Sequence, residues 1–175
     1  MIRHVTTKDP RHAQTRPGLI LTLGLTLLAP AAASAEFLRI DQSLTALDCA
    51  SCAQSLAGRM KRMRGVESAE LTPDGFLRLE LKRDNTVRLE TIRDLAKGGG
   101  FTPKEAKVKV RGTAVETGGK WELQIEGLDQ SYSLERALGL PELHSGQRIL
   151  AEGVVLPAEP RVTPILQLTL FEPEP

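Results

Sequence analysis

Between Phe37 and Val110 the apolar residues change their spacing repeatedly, from alternate positions to three- and four-residue intervals and back. No other feature restricts the possible folds as much, because alternate spacing suits a half-buried strand and the wider spacing an amphipathic helix. Phe37 to Leu44 reads as a strand with Leu38 and Ile40 facing one way and Arg39 and Asp41 the other. Leu47 to Cys52 reads as a loop, followed by a helix over about 51–63, with Leu56, Met60 and Met63 toward a core. Gly65 ends that helix. Val66 to Leu71 and Phe76 to Lys82 form a hairpin across Pro73-Asp74-Gly75, since Pro presets φ and Gly tolerates a positive one. A second helix, Val87 to Lys97, presents Leu89, Ile92, Leu95 and Ala96 and ends at Gly98-Gly99-Gly100; Ala106 to Val110 is the fourth strand. The order βαββαβ predicts an α+β unit with two helices on one face of a four-stranded antiparallel sheet.

Beyond Arg111-Gly112 the pattern turns all-β. Lys120 to Glu126 alternates with Trp121, Leu123 and Ile125 inward, and strands are expected at Ser131 to Leu134, Gln147 to Val155 and Ile165 to Phe171. Leu134 to Leu140 reads as a short helix before Pro141. With the Val108 to Val115 region, five strands and one helix predict a separate small Greek-key barrel, an OB-like domain. The expected organisation is a leader at 1–35, a first domain at 36–110, and a β domain at 111–175 with a Pro-rich tail. No internal repeat relates the halves.

The leader has a basic start (Arg3, Lys8, Arg11, Arg16), an apolar run from Leu19 to Leu28, and Ala33-Ser34-Ala35, which together are the layout of a secretory signal peptide. An uncleaved anchor is the alternative, although the run falls short of the roughly 20 residues that span a bilayer. Export to the periplasm or beyond follows, with no further membrane segment. Without residues 1–35 the chain is slightly acidic, which gives no broad attraction to phosphate backbones or anionic lipid. Aromatic residues are 3% of the sequence, too few for a surface that stacks nucleic-acid bases. No Ser-His-Asp order or phosphate-binding loop stands out, and His144 is the single histidine beyond the leader, so no enzyme is expected.

The chemically informative stretch is Leu47-Asp48-Cys49-Ala50-Ser51-Cys52, between a strand and a helix. That spacing brings two sulfurs toward one point, and a helix N-terminus favours the thiolate form of Cys52. Convergent thiolates suit soft ions: Cu(I) accepts two ligands, while Zn(II) prefers four. A redox pair and a plain disulfide formed on export are the alternatives.

Three motifs carry a resemblance over 37–110. Residues 47–52 stand where heavy-metal-associated (HMA) domains have their metal loop, Met63-Arg64-Gly65-Val66-Glu67-Ser68-Ala69 looks like their helix-to-strand junction, and Gly100-Phe101 is similar to their Gly-aromatic pair. This part resembles copper chaperones and the periplasmic mercuric-ion-binding protein. The resemblance implies a ferredoxin-like βαββαβ fold, metal binding by Cys49 and Cys52, and Cu(I) as cargo, with Zn(II) or Hg(II) as alternatives. It also implies exchange with a metal-transporting or metal-accepting protein. Ala46-Leu47 replaces the family's Gly-Met, and Asp48 resembles the members that handle zinc, cadmium or lead, where it adds a harder third ligand; a solvated or capping role is the alternative.

Other residues admit two readings each. Lys97 either offsets the charge of a dithiolate complex or is a solvated helix end. Phe101 shields the site or fills the core. Arg59, Lys61, Arg62 and Arg64 dock an acidic partner or face solvent. Trp121 is expected in the core of the β domain and Tyr132 at its edge.

Overall fold

The computed structural model describes residues 36–45, 50–158 and 162–174. The leader, the loop residues 46–49 and residues 159–161 lie outside them, so the expectations placed on the signal peptide, Asp48 and Cys49 do too. Among the described residues there are eight strands and two helices: β1 (Glu36–Thr45), α1 (Ala50–Lys61), β2 (Val66–Leu71), β3 (Phe76–Leu81), α2 (Leu89–Gly98), β4 (Thr102–Thr117), β5 (Lys120–Ile125), β6 (Gln130–Arg136), β7 (Gln147–Val155) and β8 (Ile165–Pro173). No described helix is long and apolar enough to cross a membrane.

The helices form where the apolar period is helical. On α1, Ala53, Leu56, Ala57 and Met60 recur at the i, i+3, i+4, i+7 positions and are buried. On α2 the same spacing buries Leu89, Ile92, Arg93 and Ala96. Gly65, at φ 91°, turns the chain out of α1, and a side chain there would press on Asn85 Cβ at 2.9 Å. In β1 the inward pair is Phe37 and Ile40, not Leu38 and Ile40. A register shift between Phe37 and Arg39 explains the change, because an irregularity in the pairing flips the side chains on one side of it.

The strands join in the order β2-β3-β1-β4-β5-β6-β8-β7, and β7 returns to pair with β4. All pairings are antiparallel except β6 with β8. This overturns the expected fold class. In place of a ferredoxin-like domain followed by a separate OB-like barrel, the chain builds one mostly-β, eight-stranded mixed sheet carrying two short helices.

The reason lies in β4. It pairs with β1 through Arg111 and with β5 from Thr113 onward, while β7 lies along its other side from Ala106 to Ala114. Gly112, read from sequence as the end of a domain, is the corner inside that strand: a Cβ there would lie 2.6 Å from the carbonyl oxygen of Gln124. Glycine in a strand interior often marks such a close backbone approach.

The core is continuous across the corner. Phe37 of β1 meets Tyr132 of β6 edge to face, with ring centroids 5.9 Å apart. Tyr132 is therefore central and buried while Trp121 is half-buried, the reverse of the expected roles. The expected helix at 134–140 is also absent, because β6 continues to Arg136 beside β8.

Two polar networks tie the helices and the first strands to the later ones. Arg93, buried on α2, donates from Nε to Gln42 Oε1 at 3.1 Å and from Nη2 to the Val155 carbonyl at 2.8 Å. Gln42 Nε2 in turn donates to the Lys104 carbonyl at 2.9 Å. Burial pulls the Arg93 guanidinium below its ordinary value, since its nearest acceptors are neutral. At the opposite end of β1, the buried Glu36 accepts from Arg111 Nη1 at 3.1 Å, and Arg111 Nε donates to Glu174 at 2.7 Å.

Candidate functional site

Cys52 lies in the first turn of α1, exposed to solvent. It is disulfide-bonded, and the only other cysteine of the chain is Cys49. In that state Cys52 has no thiolate to offer a metal ion, so coordination through its sulfur requires reduction of the bond first.

A pocket of about 330 Å³ opens beside Cys52. One wall is a single stripe of α1: Cys52, Ser55, Leu56 and Arg59 recur at i, i+3, i+4 and i+7. The other wall is Gly99 and Phe101 from the connection between α2 and β4. This connection is tightly built: the Gly99 and Phe101 amides both donate to the Ala96 carbonyl, at 3.0 and 3.1 Å. Phe101 is 4% exposed, so it serves the core while its edge borders the pocket. Two stretches far apart in sequence, the start of α1 at Cys52 and the connection carrying Gly99 and Phe101, thus meet at one place.

The remaining candidates separate. Lys97 does not line this pocket; its ammonium lies 3.7 Å from Asp94 on an exposed helix turn. His144 is exposed on the turn before β7, far along the chain, and its backbone amide donates to Gln147. Among the described residues, no group of three or more His, Cys, Asp and Glu side chains converges as a metal site. A two-sulfur ligand set from Cys49 and Cys52 fits a soft, low-coordinate ion, whereas a four-coordinate ion would need donors from the 46–49 loop, water or a partner.

Sequence reasoning did not place Ser55 or Leu56 at the site, and it grouped Arg59 with the basic end of the helix. The helical interval from Cys52 to Arg59 was the signal available, because seven residues bring a side chain back to the same face. The opposite face of the sheet carries a second, charged pocket of about 320 Å³ lined by Arg39, Asp41, Lys107, Val108, Lys109 and Glu152. Its charges are mostly paired with each other, as in Lys109 with Glu152 at 2.7 Å.

No protein-family model, curated protein or solved structure matches this chain.

Proposed function

We propose that this protein binds a soft transition-metal ion through Cys49 and Cys52 in their reduced form, Cu(I) foremost, with Zn(II) or Hg(II) as alternatives. The observation that carries the reading is the meeting of the CxxC helix start with Gly99 and Phe101 at one small pocket. The motif resemblance to HMA domains supports it, since the three stretches that carry the likeness are the metal loop, the junction after α1 and Gly100-Phe101, whose Phe101 borders this pocket. The leader-like first 35 residues support export to the periplasm or beyond.

Transfer to an accepting protein would proceed by ligand exchange, a partner thiolate joining the ion as one cysteine lets go. Asp48 is the harder donor available for an ion that needs more than two ligands. A competition titration of the fully reduced protein with a Cu(I) chelator tests the reading. One ion per chain is expected, with at least a hundredfold loss of affinity in Cys49→Ser and in Cys52→Ser; unchanged binding in both variants refutes it.

The bonded state of Cys52 favours a second reading, a thiol-disulfide protein. Exchange with partner thiols at a potential near that of its compartment, with no metal retained after reduction, would select it over the first.

A further inference from the structure

We propose that the exposed basic corner where α1 ends beside the β3–α2 connection is a docking surface for an anionic lipid bilayer, which it engages by charge alone. The inference goes beyond the metal reading and does not depend on the cysteines.

The corner is assembled from two stretches that lie apart in sequence. Lys61 ends α1, and Arg62 and Arg64 follow it; Lys82 and Arg83 follow β3. The β2–β3 ladder brings them together. Val66 pairs with Leu81, the Lys82 amide donates to the Gly65 carbonyl at 2.9 Å, and a side chain at Gly65 would meet Asn85 Cβ at 2.9 Å. All five cations are exposed. The dipole at a helix C-terminus favours basic residues and accounts for Lys61 and Arg62, but not for Lys82 and Arg83, which belong to another element.

The fold makes no use of these charges. Among the described residues, Arg39, Arg78, Arg111 and Arg148 pair with carboxylates, and Arg88, Arg93 and Arg136 donate to backbone carbonyls. Arg59, Arg62, Arg64 and Arg83 do neither, and all four lie on the last turns of α1 or at this corner. The unengaged arginines are therefore gathered at one end of the molecule. Like charges held this closely repel one another, and a surface of opposite charge relieves that repulsion.

The surroundings of the charges select a bilayer over other anionic partners. A protein interface draws its affinity from a desolvated apolar or aromatic centre, and charges at the rim add little. Among the described residues the exposed large hydrophobic side chains are Leu138, Leu156, Val162, Ile165 and Leu170, all on later stretches. No aromatic residue falls within 59–67 or 82–88, so there is nothing at the corner to stack on nucleic-acid bases either. An anionic bilayer requires neither feature, because each basic residue near its surface strengthens binding by about fivefold through charge alone. The slight acidity of the chain beyond residue 35 does not oppose this, since screening confines each charge to about 10 Å. Docking by this corner keeps Cys52, at the opposite end of α1, away from the bilayer.

The test uses the full chain and vesicles of phosphatidylcholine with and without about one-third phosphatidylglycerol, with binding read by cosedimentation. Two triple variants carry the same net charge: Arg62→Gln, Arg64→Gln, Arg83→Gln at the corner, and Lys104→Gln, Lys107→Gln, Lys120→Gln on the exposed surface elsewhere. Thermal unfolding of the corner variant should match the wild type, because these side chains have no polar partner among the described residues to lose. The wild type is expected to favour the phosphatidylglycerol vesicles, with the preference gone at about 0.5 M salt. The corner variant should bind them about a hundredfold more weakly and the other variant within about threefold of the wild type. Phosphatidylcholine vesicles read the binding that the apolar leader contributes, which all three proteins share. Equal losses in the two variants would assign the effect to net charge and overturn the proposal. Corner-dependent binding that is tighter to polyglutamate or to a single-stranded oligonucleotide than to the vesicles would overturn it in favour of a protein or nucleic-acid partner. The Cu(I) titration reads Cys49 and Cys52, so the two readings fail separately.

Discussion

The two halves of β4 make different demands on the same strand. Before Gly112 it lies between β1 and β7, and α2 is moored over that region by Arg93, which reaches the ends of β1 and β7 through Gln42 and Val155. After Gly112 it lies between β5 and β7, and the ring of strands closes on itself through β8. The first half is held by a helix and a buried guanidinium, the second by backbone pairing around a tight corner. One continuous strand therefore couples the thiol site to the closed ring, and a chain that reads as two domains folds around one core.

If that coupling is right, the corner is where the comparison breaks most visibly. Gly112→Ala drives a Cβ onto the Gln124 carbonyl, and Gly153→Ala drives one onto the Gln167 carbonyl with less room still. Each is expected to cost about 3 kcal/mol, as overpacking against backbone does. Thermal denaturation should then show a single transition lowered by about 10 °C. A two-step melt, with the α1–α2 region surviving, would mean that the halves are independent.

Arg93→Met sharpens the other side of the comparison. It leaves the Gln42 side-chain oxygen and the Val155 carbonyl without this donor. Buried acceptors stripped of a partner cost about 1–3 kcal/mol, and about 2 kcal/mol is expected here in urea unfolding. Hydrogen exchange should rise at the end of β7 as well as in α2; a change confined to α2 would show that the guanidinium does not bridge the elements.

Tyr132→Phe carries the smallest expected effect near neutrality, under about 1 kcal/mol, because its hydroxyl lies a long 3.4 Å from Glu90 Oε1. The difference appears at high pH. Burial raises the Tyr132 phenol above its ordinary value of 10.0, with the Glu90 carboxylate adding to the shift. The unfolded chain releases this proton first, so the stability tied to the neutral phenol is fully present below pH 10.0 and declines as pH rises above it. The wild type should lose stability over that range more steeply than Tyr132→Phe, which equilibrium unfolding at a series of alkaline pH values would measure. Parallel curves would put Tyr132 outside the coupled core.

What could be read from sequence followed from local spacing. The i, i+4 part of the Leu56, Met60, Met63 stripe, the Pro73-Asp74-Gly75 turn and the alternation from Gln147 to Val155 each specify a local geometry by themselves and recur in the fold, whereas Met63 lies past the end of α1 and is half-buried. The CxxC spacing likewise places Cys52 at the start of α1 without help from distant residues. Local signals misled where one residue type serves two geometries. Gly112 looks the same at a linker and at a strand corner, and only the carbonyl of Gln124 pressing on it distinguishes them. Tyr132 reads as an edge residue because no local pattern reveals that Phe37 meets it edge to face.

The sequence by itself determined the two helices, the β2–β3 hairpin and the strand over Gln147–Val155, and where the two sulfurs lie along the chain. Tertiary structure alone decided that β4 belongs to both halves, that the buried Arg93 donates to the Val155 carbonyl, and that Phe101 and Arg59 share a pocket with Cys52. The physical reason is range. Backbone conformation responds to neighbours a few residues away, whereas closing a sheet and filling a pocket depend on contacts between residues 40 or more positions apart, such as Arg93 with Val155.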